Sequence, residues 1–176
     1  MGAGAEEEPA VRLVVCDTGP LLHLMEIDAL QLLNGAGDVL IPDAVDGEVA
    51  SLVSNWAALR PKWLHIEPLN EQSRLIGATW QASGILHAGE ASSLALALQV
   101  GGGWYLTDDA AARVVASSLG IEVHGTIGIV LWAAATGLLD MPEAVLLLDA
   151  LAKSTLWISA RVLEEAKSAL DVLFAE

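Results

Sequence analysis

Five acidic residues stand where chemistry could be built: Asp17, Glu48, Glu90 and the adjacent pair Asp108 and Asp109. Asp17 closes the apolar run VRLVVC of residues 11–16 and is followed by Thr18-Gly19-Pro20, so it sits where a strand hands over to a helix. Asp108-Asp109 close the run WYLT of residues 104–107 in the same way. Glu90 follows Gly89 at the first turn of a helical run, and Glu48 lies beside the apolar face formed by Val45, Val49 and Leu52. Carboxylates gathered at one edge of a sheet repel one another and bind protons more tightly unless a cation sits between them. Oxygen donors of this kind suit Mg²⁺ or Mn²⁺, and such an ion activates water for phosphodiester hydrolysis. A zinc site is not expected, because Cys16 is the single cysteine and His23, His65, His87 and His124 are widely spaced.

Each acid has a plainer explanation when taken alone. Asp17 can cap a helix, Glu48 can be a solvated surface residue, Glu90 can answer a helix dipole, and the aspartate pair can mark a helix start. Those explanations do not account for the joint order of the five.

The elements that must position them alternate along the chain. Residues 11–16, 39–41, 64–67, 104–107 and 121–123 read as short strands, and residues 71–81, 91–100 and 110–118 as helices. Pro42 opens a helix carrying Glu48. From Ile127 onward the pattern is helical, punctuated by Gly137, Pro142 and an N-cap at Ser159. This is an α/β fold with a mainly parallel sheet and added C-terminal helices. In such sheets ligands bind beyond the carboxyl ends of the strands, near the point where strand order reverses. Asp17 and Asp108-Asp109 are expected on that edge.

Composition bounds the rest. The 176 residues, 54% hydrophobic, suffice for one core, with residues 1–10 (MGAGAEEEPA) expected as a disordered acidic tail and residues 11–176 as one domain. The start lacks the pattern of a secretory signal and no apolar run reaches the length of a membrane span, so a cytoplasmic protein is expected. Cys16, inside an apolar run, reads as a buried structural thiol. Of the six tryptophans, most are expected in the core or an interface, with base stacking as the alternative use. The net charge of −15, from 23 acids against 8 lysines and arginines, weighs against phosphate binding through cations.

Other acidic-site classes fit poorly. A receiver domain needs a late lysine beside its phosphorylated aspartate, whereas Lys153 and Lys167 lie in the helical tail. A haloacid-dehalogenase-like phosphatase needs a second aspartate two residues after Asp17, where Gly19 stands. Gly101-Gly102-Gly103 precedes a strand and leads into no Lys-Ser/Thr, which excludes a P-loop.

The segments Val14-Val15-Cys16-Asp17-Thr18-Gly19-Pro20-Leu21-Leu22, Ile41-Pro42 through Glu48-Val49, Gly89-Glu90-Ala91-Ser92-Ser93-Leu94-Ala95-Leu96-Ala97 and Leu106-Thr107-Asp108-Asp109 through Arg113 resemble the PIN domain in order and spacing. The run of residues 119–128 (LGIEVHGTIG) is similar to the branch of prokaryotic PIN proteins related to VapC toxins. The resemblance extends over residues 11–170. It implies a Rossmann-like three-layer fold, Mg²⁺- or Mn²⁺-dependent cleavage of RNA as a toxin ribonuclease, homodimers, and an antitoxin that blocks the site. Asp17, Glu48 and Glu90 match three of the family's acids, with Glu90 at a position where Asp is common. The fourth is Asp109 on a Thr-x-Asp reading or Asp108 on proximity to the strand. Thr18 and Thr107 are expected to orient carboxylates or water, and Arg113 is the one basic residue near the acidic edge. The competing expectation is a PIN fold turned into a binding or regulatory module without catalysis.

Overall fold

Along β1 (Leu13–Cys16) the side chains take opposite sides of the sheet in turn, with Val14 and Cys16 facing one layer and Val15 the other. Both layers are apolar, which is why β1 reads as a continuous hydrophobic run rather than an alternating one. The computed structural model describes residues 11–175. The tail expected over residues 1–10 lies outside the described residues.

In chain order β1 is followed by α1 (Thr18–Glu26), α2 (Leu32–Ala36), β2 (Asp38–Ile41), α3 (Asp43–Leu52), α4 (Trp56–Leu59), β3 (Leu64–Ile66), α5 (Glu71–Ala82), α6 (Ala88–Val100), β4 (Trp104–Leu106), α7 (Ala110–Ser118), β5 (Glu122–His124), α8 (Thr126–Ala135), α9 (Met141–Leu151) and α10 (Ala160–Leu173). The five strands form one sheet in the order β3-β2-β1-β4-β5, every neighbouring pair parallel. One layer joins Leu21, Leu33, Val45 and Ile129 to β1, β2 and β4, and the opposite layer joins Leu94, Leu96, Ala112 and Ala116 to Val15 and Tyr105. A third cluster, with Val130, Leu148, Leu151 and Leu170 at its centre, packs α8, α9 and α10 together as the expected C-terminal addition. The three-layer α/β architecture is therefore as expected, and the sheet is wholly parallel.

The ends of several elements shift from the sequence reading. The strand expected to reach Thr107 stops at Leu106, one residue early, although the Thr107 amide still donates to the His124 carbonyl at 3.0 Å. Helix α6 starts at Ala88, three residues early, since Glu90 reaches back to its N-cap backbone and makes the first turn regular. The last strand covers residues 122–124, in register with Trp104, Tyr105 and Leu106. No helix among the described residues is long and apolar enough to cross a membrane.

From β1 the chain runs outward through β2 to β3, then returns to place β4 on the other side of β1 and β5 beyond it. Strand order thus reverses between β1 and β4. The carboxyl ends of these two strands flank the crevice where ligands bind in open parallel sheets.

Candidate functional site

Asp17 is the first residue past β1 and Thr107 the first past β4, and the parallel register of Cys16 with Leu106 brings them side by side. The Asp17 amide donates to the Leu106 carbonyl at 2.9 Å, and the Thr107 hydroxyl donates to Asp17 Oδ2 at 2.9 Å. Asp17 Oδ1 accepts from the Thr18 amide at 2.8 Å, so the residue also caps α1. Only 4% of Asp17 is exposed. Its carboxyl is pushed up to about 7, first by burial, with the bonds from Thr18 and Thr107 pulling the other way and the charges of Glu90 and Glu48 adding to the rise.

Glu48 arrives from α3, which follows the strand next to β1. Its Oε2 accepts from the Thr18 hydroxyl at 2.5 Å. The carboxylate lies against Gly89 in α6, at a place that a Cβ on residue 89 would overlap. Glu90 comes from the opposite layer. Its Oε2 accepts from the His87 amide at 2.6 Å, and the turn beneath it is tied to β4 by Tyr105, whose hydroxyl pairs with Ser93 at 3.0 Å. Burial raises the Glu90 carboxyl, the His87 bond opposes this, and Asp109 and Glu48 add to the rise.

The adjacent aspartates divide. Asp108 Oδ1 accepts from the Thr126 amide at 2.8 Å, and Oδ2 contacts the Thr126 hydroxyl at 2.6 Å and His23 Nδ1 at 2.8 Å. It therefore closes the N-terminus of α8, whose own N-cap, Gly125, has no side chain to do so. Burial would raise the Asp108 carboxyl, but the bonds from His23 and Thr126 outweigh it and hold the group below the usual range. Asp109 Oδ1 accepts only from Ala112 at 2.7 Å, capping α7.

Asp17, Glu48, Glu90, Asp108 and Asp109 all line one cleft of about 360 Å³, together with Thr18 and His23. No lysine or arginine lines it among the described residues. Asp17 and Asp108-Asp109 lie at the strand edge where the sequence places them, and Glu48 and Glu90 line the same cleft. The sequence reading missed His23 and Thr126, the partners of Asp108; the signal available was the lone histidine three residues after Pro20, at the spacing of one helical turn. Arg113 donates to the Thr107 carbonyl at 3.2 Å and lines a neighbouring groove together with Asp108. Cys16 is buried as expected, its thiol pushed up first by burial and then by Asp17 and Asp108.

No three histidine, cysteine, aspartate or glutamate residues among those described are already drawn close enough to cage an ion. Glu48, Glu90 and Asp109 each accept through one oxygen, from the Thr18 hydroxyl, the His87 amide and the Ala112 amide, and all three line the cleft. The donor set still fits a hard divalent cation, since it consists of carboxylates, two of them raised first by burial and then by the charges of the others.

Comparison with curated proteins and with solved structures returned no match. A family profile, DUF3368, described as a PIN domain, matches residues 13–171, from the start of β1 into the last turn of α10. PIN domains are, as a class, nucleases, and an acidic cleft at the switch point of a parallel sheet is the kind of site that chemistry needs. Fold, cleft and profile agree, and the chain belongs to the PIN domain family.

Proposed function

We propose that the protein is a divalent-metal-dependent endoribonuclease acting at the Asp17 cleft, as the toxin component of a toxin–antitoxin pair. One observation carries the reading. Asp17 is a buried carboxylate facing four others with no lysine or arginine lining the same cleft among the described residues. Such a group either stays protonated or acquires a cation.

Asp17, Glu90 and Asp109 would hold Mg²⁺ or Mn²⁺. When bound, the ion supplies an activated water and neutralises charge on the phosphodiester. In the hydrolysis, water oxygen forms a bond to phosphorus, the P–O bond to one ribose breaks, and the leaving oxygen takes a proton. The chain's own groups prepare this. Thr107 and Thr18 fix both oxygens of Asp17, and the Thr18 hydroxyl holds Glu48 at the cleft wall, where it is positioned to accept a proton from water. Asp109 is favoured over Asp108 as the fourth acid, because Asp108 already has three partners, the Thr126 amide and hydroxyl and His23, whereas among the described residues Asp109 keeps one oxygen free beside its bond from Ala112. An antitoxin that blocks the cleft, a homodimer and a cytoplasmic setting complete this reading.

The test is cleavage of RNA by purified protein with Mn²⁺. Asp17→Asn should abolish cleavage while the circular dichroism spectrum stays unchanged. Equal cleavage by both proteins sinks the proposal. No cleavage by the wild type with Mn²⁺ bound favours the second reading, a binding module without catalysis, for which the net charge of −15 is the specific argument.

A further inference from the structure

Residues 152–159 connect α9 to α10 and pass over the rim of the acidic cleft. Leu156 and Ile158 pack, half-buried, against the α8–α9–α10 cluster. Trp157 between them faces outward and is 86% exposed. The segment that carries it is braced. The Thr155 amide donates to a Glu26 oxygen at 2.8 Å and the Thr155 hydroxyl donates to the other. The Ser154 hydroxyl donates to the Leu151 carbonyl at 2.7 Å and accepts from the Leu156 amide at 3.1 Å. The indole therefore stands in water on a fixed support, although tryptophan is largely buried in most folds.

Its location gives the exposure a use. Trp157 lines the acidic cleft and also a second groove of about 600 Å³ that continues from it, sharing Asp108 and Leu156 and leading to Arg113, His124 and Gly125. Arg113 is the one arginine lining that groove, and no lysine lines it, among the described residues. A nucleic-acid strand laid along this path meets few cations, so attraction for phosphates contributes little and the faces of the bases must contribute more.

We infer that Trp157 is a stacking platform for an unpaired base of single-stranded nucleic acid, holding the strand so that a neighbouring phosphodiester enters the Asp17 cleft. The inference rests on the nuclease reading above for what happens to that phosphodiester. A base can cover the indole face only when it has left its own helix, so the platform selects single strands over duplexes. Continuity of the groove with the acidic cleft favours a nucleic acid over a protein segment as the occupant. The shortage of cations also requires that binding depend weakly on salt.

The experiment titrates the full-length protein in EDTA against fluorescein-labelled single-stranded RNA of roughly twelve nucleotides, and the corresponding duplex, by anisotropy. The wild type should prefer the single strand. Trp157→Ala should weaken that binding about tenfold, and Trp157→Phe, which keeps an aromatic face, should stay within about threefold. Equal binding by wild type and Trp157→Ala, equal binding of duplex and single strand, or no binding by the wild type overturns the platform. So does a Trp157→Ala protein that changes only its sedimentation, which would assign the indole to contact with a second copy. Added Mn²⁺ separates the two proposals. RNA held through Trp157 but left intact overturns the nuclease and spares the platform. Cleavage by Trp157→Ala with the wild-type kcat/KM does the reverse.

Discussion

The carboxylate of Glu48 lies in the space that a side chain on Gly89 would fill. Two helices on different sides of the cleft, α3 and α6, approach here without a Cβ between them. Gly89 has no left-handed backbone that would require glycine for its own sake, so its smallness serves the neighbour. Gly89→Ala improves helix propensity by up to about 1 kcal/mol, while the flexible end of Glu48 can swing aside. Stability should hold or rise slightly, and RNA cleavage should fall at least tenfold, toward the level of Glu48→Gln. Thermal melts and single-turnover rates on the same preparations check both halves. An unchanged rate in Gly89→Ala would remove Glu48 from the proposed chemistry.

Asp17 makes a pH prediction for the metal-free protein. Its folded value of about 7 lies above the ordinary 3.8, so the native state binds this proton more tightly than the unfolded chain. The stability tied to it is fully present below about pH 4 and is lost as pH rises through about 7. The loss is of order a few kcal/mol. Asp17→Asn carries no such charge, so in EDTA its melting temperature should exceed that of the wild type at pH 8 by more than at pH 4. A difference that does not grow with pH refutes the buried-charge account.

The sheet and the gathering of acids were legible in the sequence because short strands ending in Asp17 and Asp108 fix both residues to one edge of a parallel sheet. Glu48 and Glu90 were harder, since a helix fixes the height of a side chain but not its aim. Their convergence depends on Gly89 and on the Thr18 hydroxyl, contacts between residues 30 or more positions apart. The choice between Asp108 and Asp109 could not be made from adjacency. It turns on His23 and Thr126, which reach Asp108 from 85 and 18 residues away. Trp157 was one tryptophan among six until its place at the rim was known.

The two adjacent aspartates should respond in opposite ways. Asp108→Asn replaces an acceptor oxygen with a donor among His23, the Thr126 amide and the Thr126 hydroxyl, at a side chain only 14% exposed. A buried acceptor lost in this way costs about 1–3 kcal/mol. The depressed Asp108 carboxyl contributes stability above the ordinary range that disappears as pH falls through its folded value, so the wild type should lose its advantage over Asp108→Asn under acid. Asp109→Asn keeps the cap on α7, because Asn and Asp cap equally well. It should melt like the wild type and yet cleave RNA at least a hundredfold more slowly. Reversed results would make Asp108 the fourth acid.

Cation binding should compete with the Asp17 proton. Below about pH 7 a divalent ion must displace that proton before the carboxylate can serve as a ligand, so apparent affinity should rise about tenfold per pH unit up to that point and level off above it. The same competition appears in stability. The ion binds the folded cleft and not the unfolded chain, so a concentration about a hundred times its Kd adds about 2.7 kcal/mol, and the rise in melting temperature with Mn²⁺ should be larger at pH 8 than at pH 5.5. Asp17→Asn, which has neither the charge nor the proton, should show little rise at either pH. Glu90→Gln should show a smaller rise that still depends on pH, since Asp17 retains its proton in that variant. Isothermal titration with Mn²⁺ across this range, in two buffers of different ionisation enthalpy, reads the proton released per ion bound. About half a proton is expected near pH 7 and close to one at pH 5.5. Binding that releases no proton at pH 5.5 would place the ion away from Asp17.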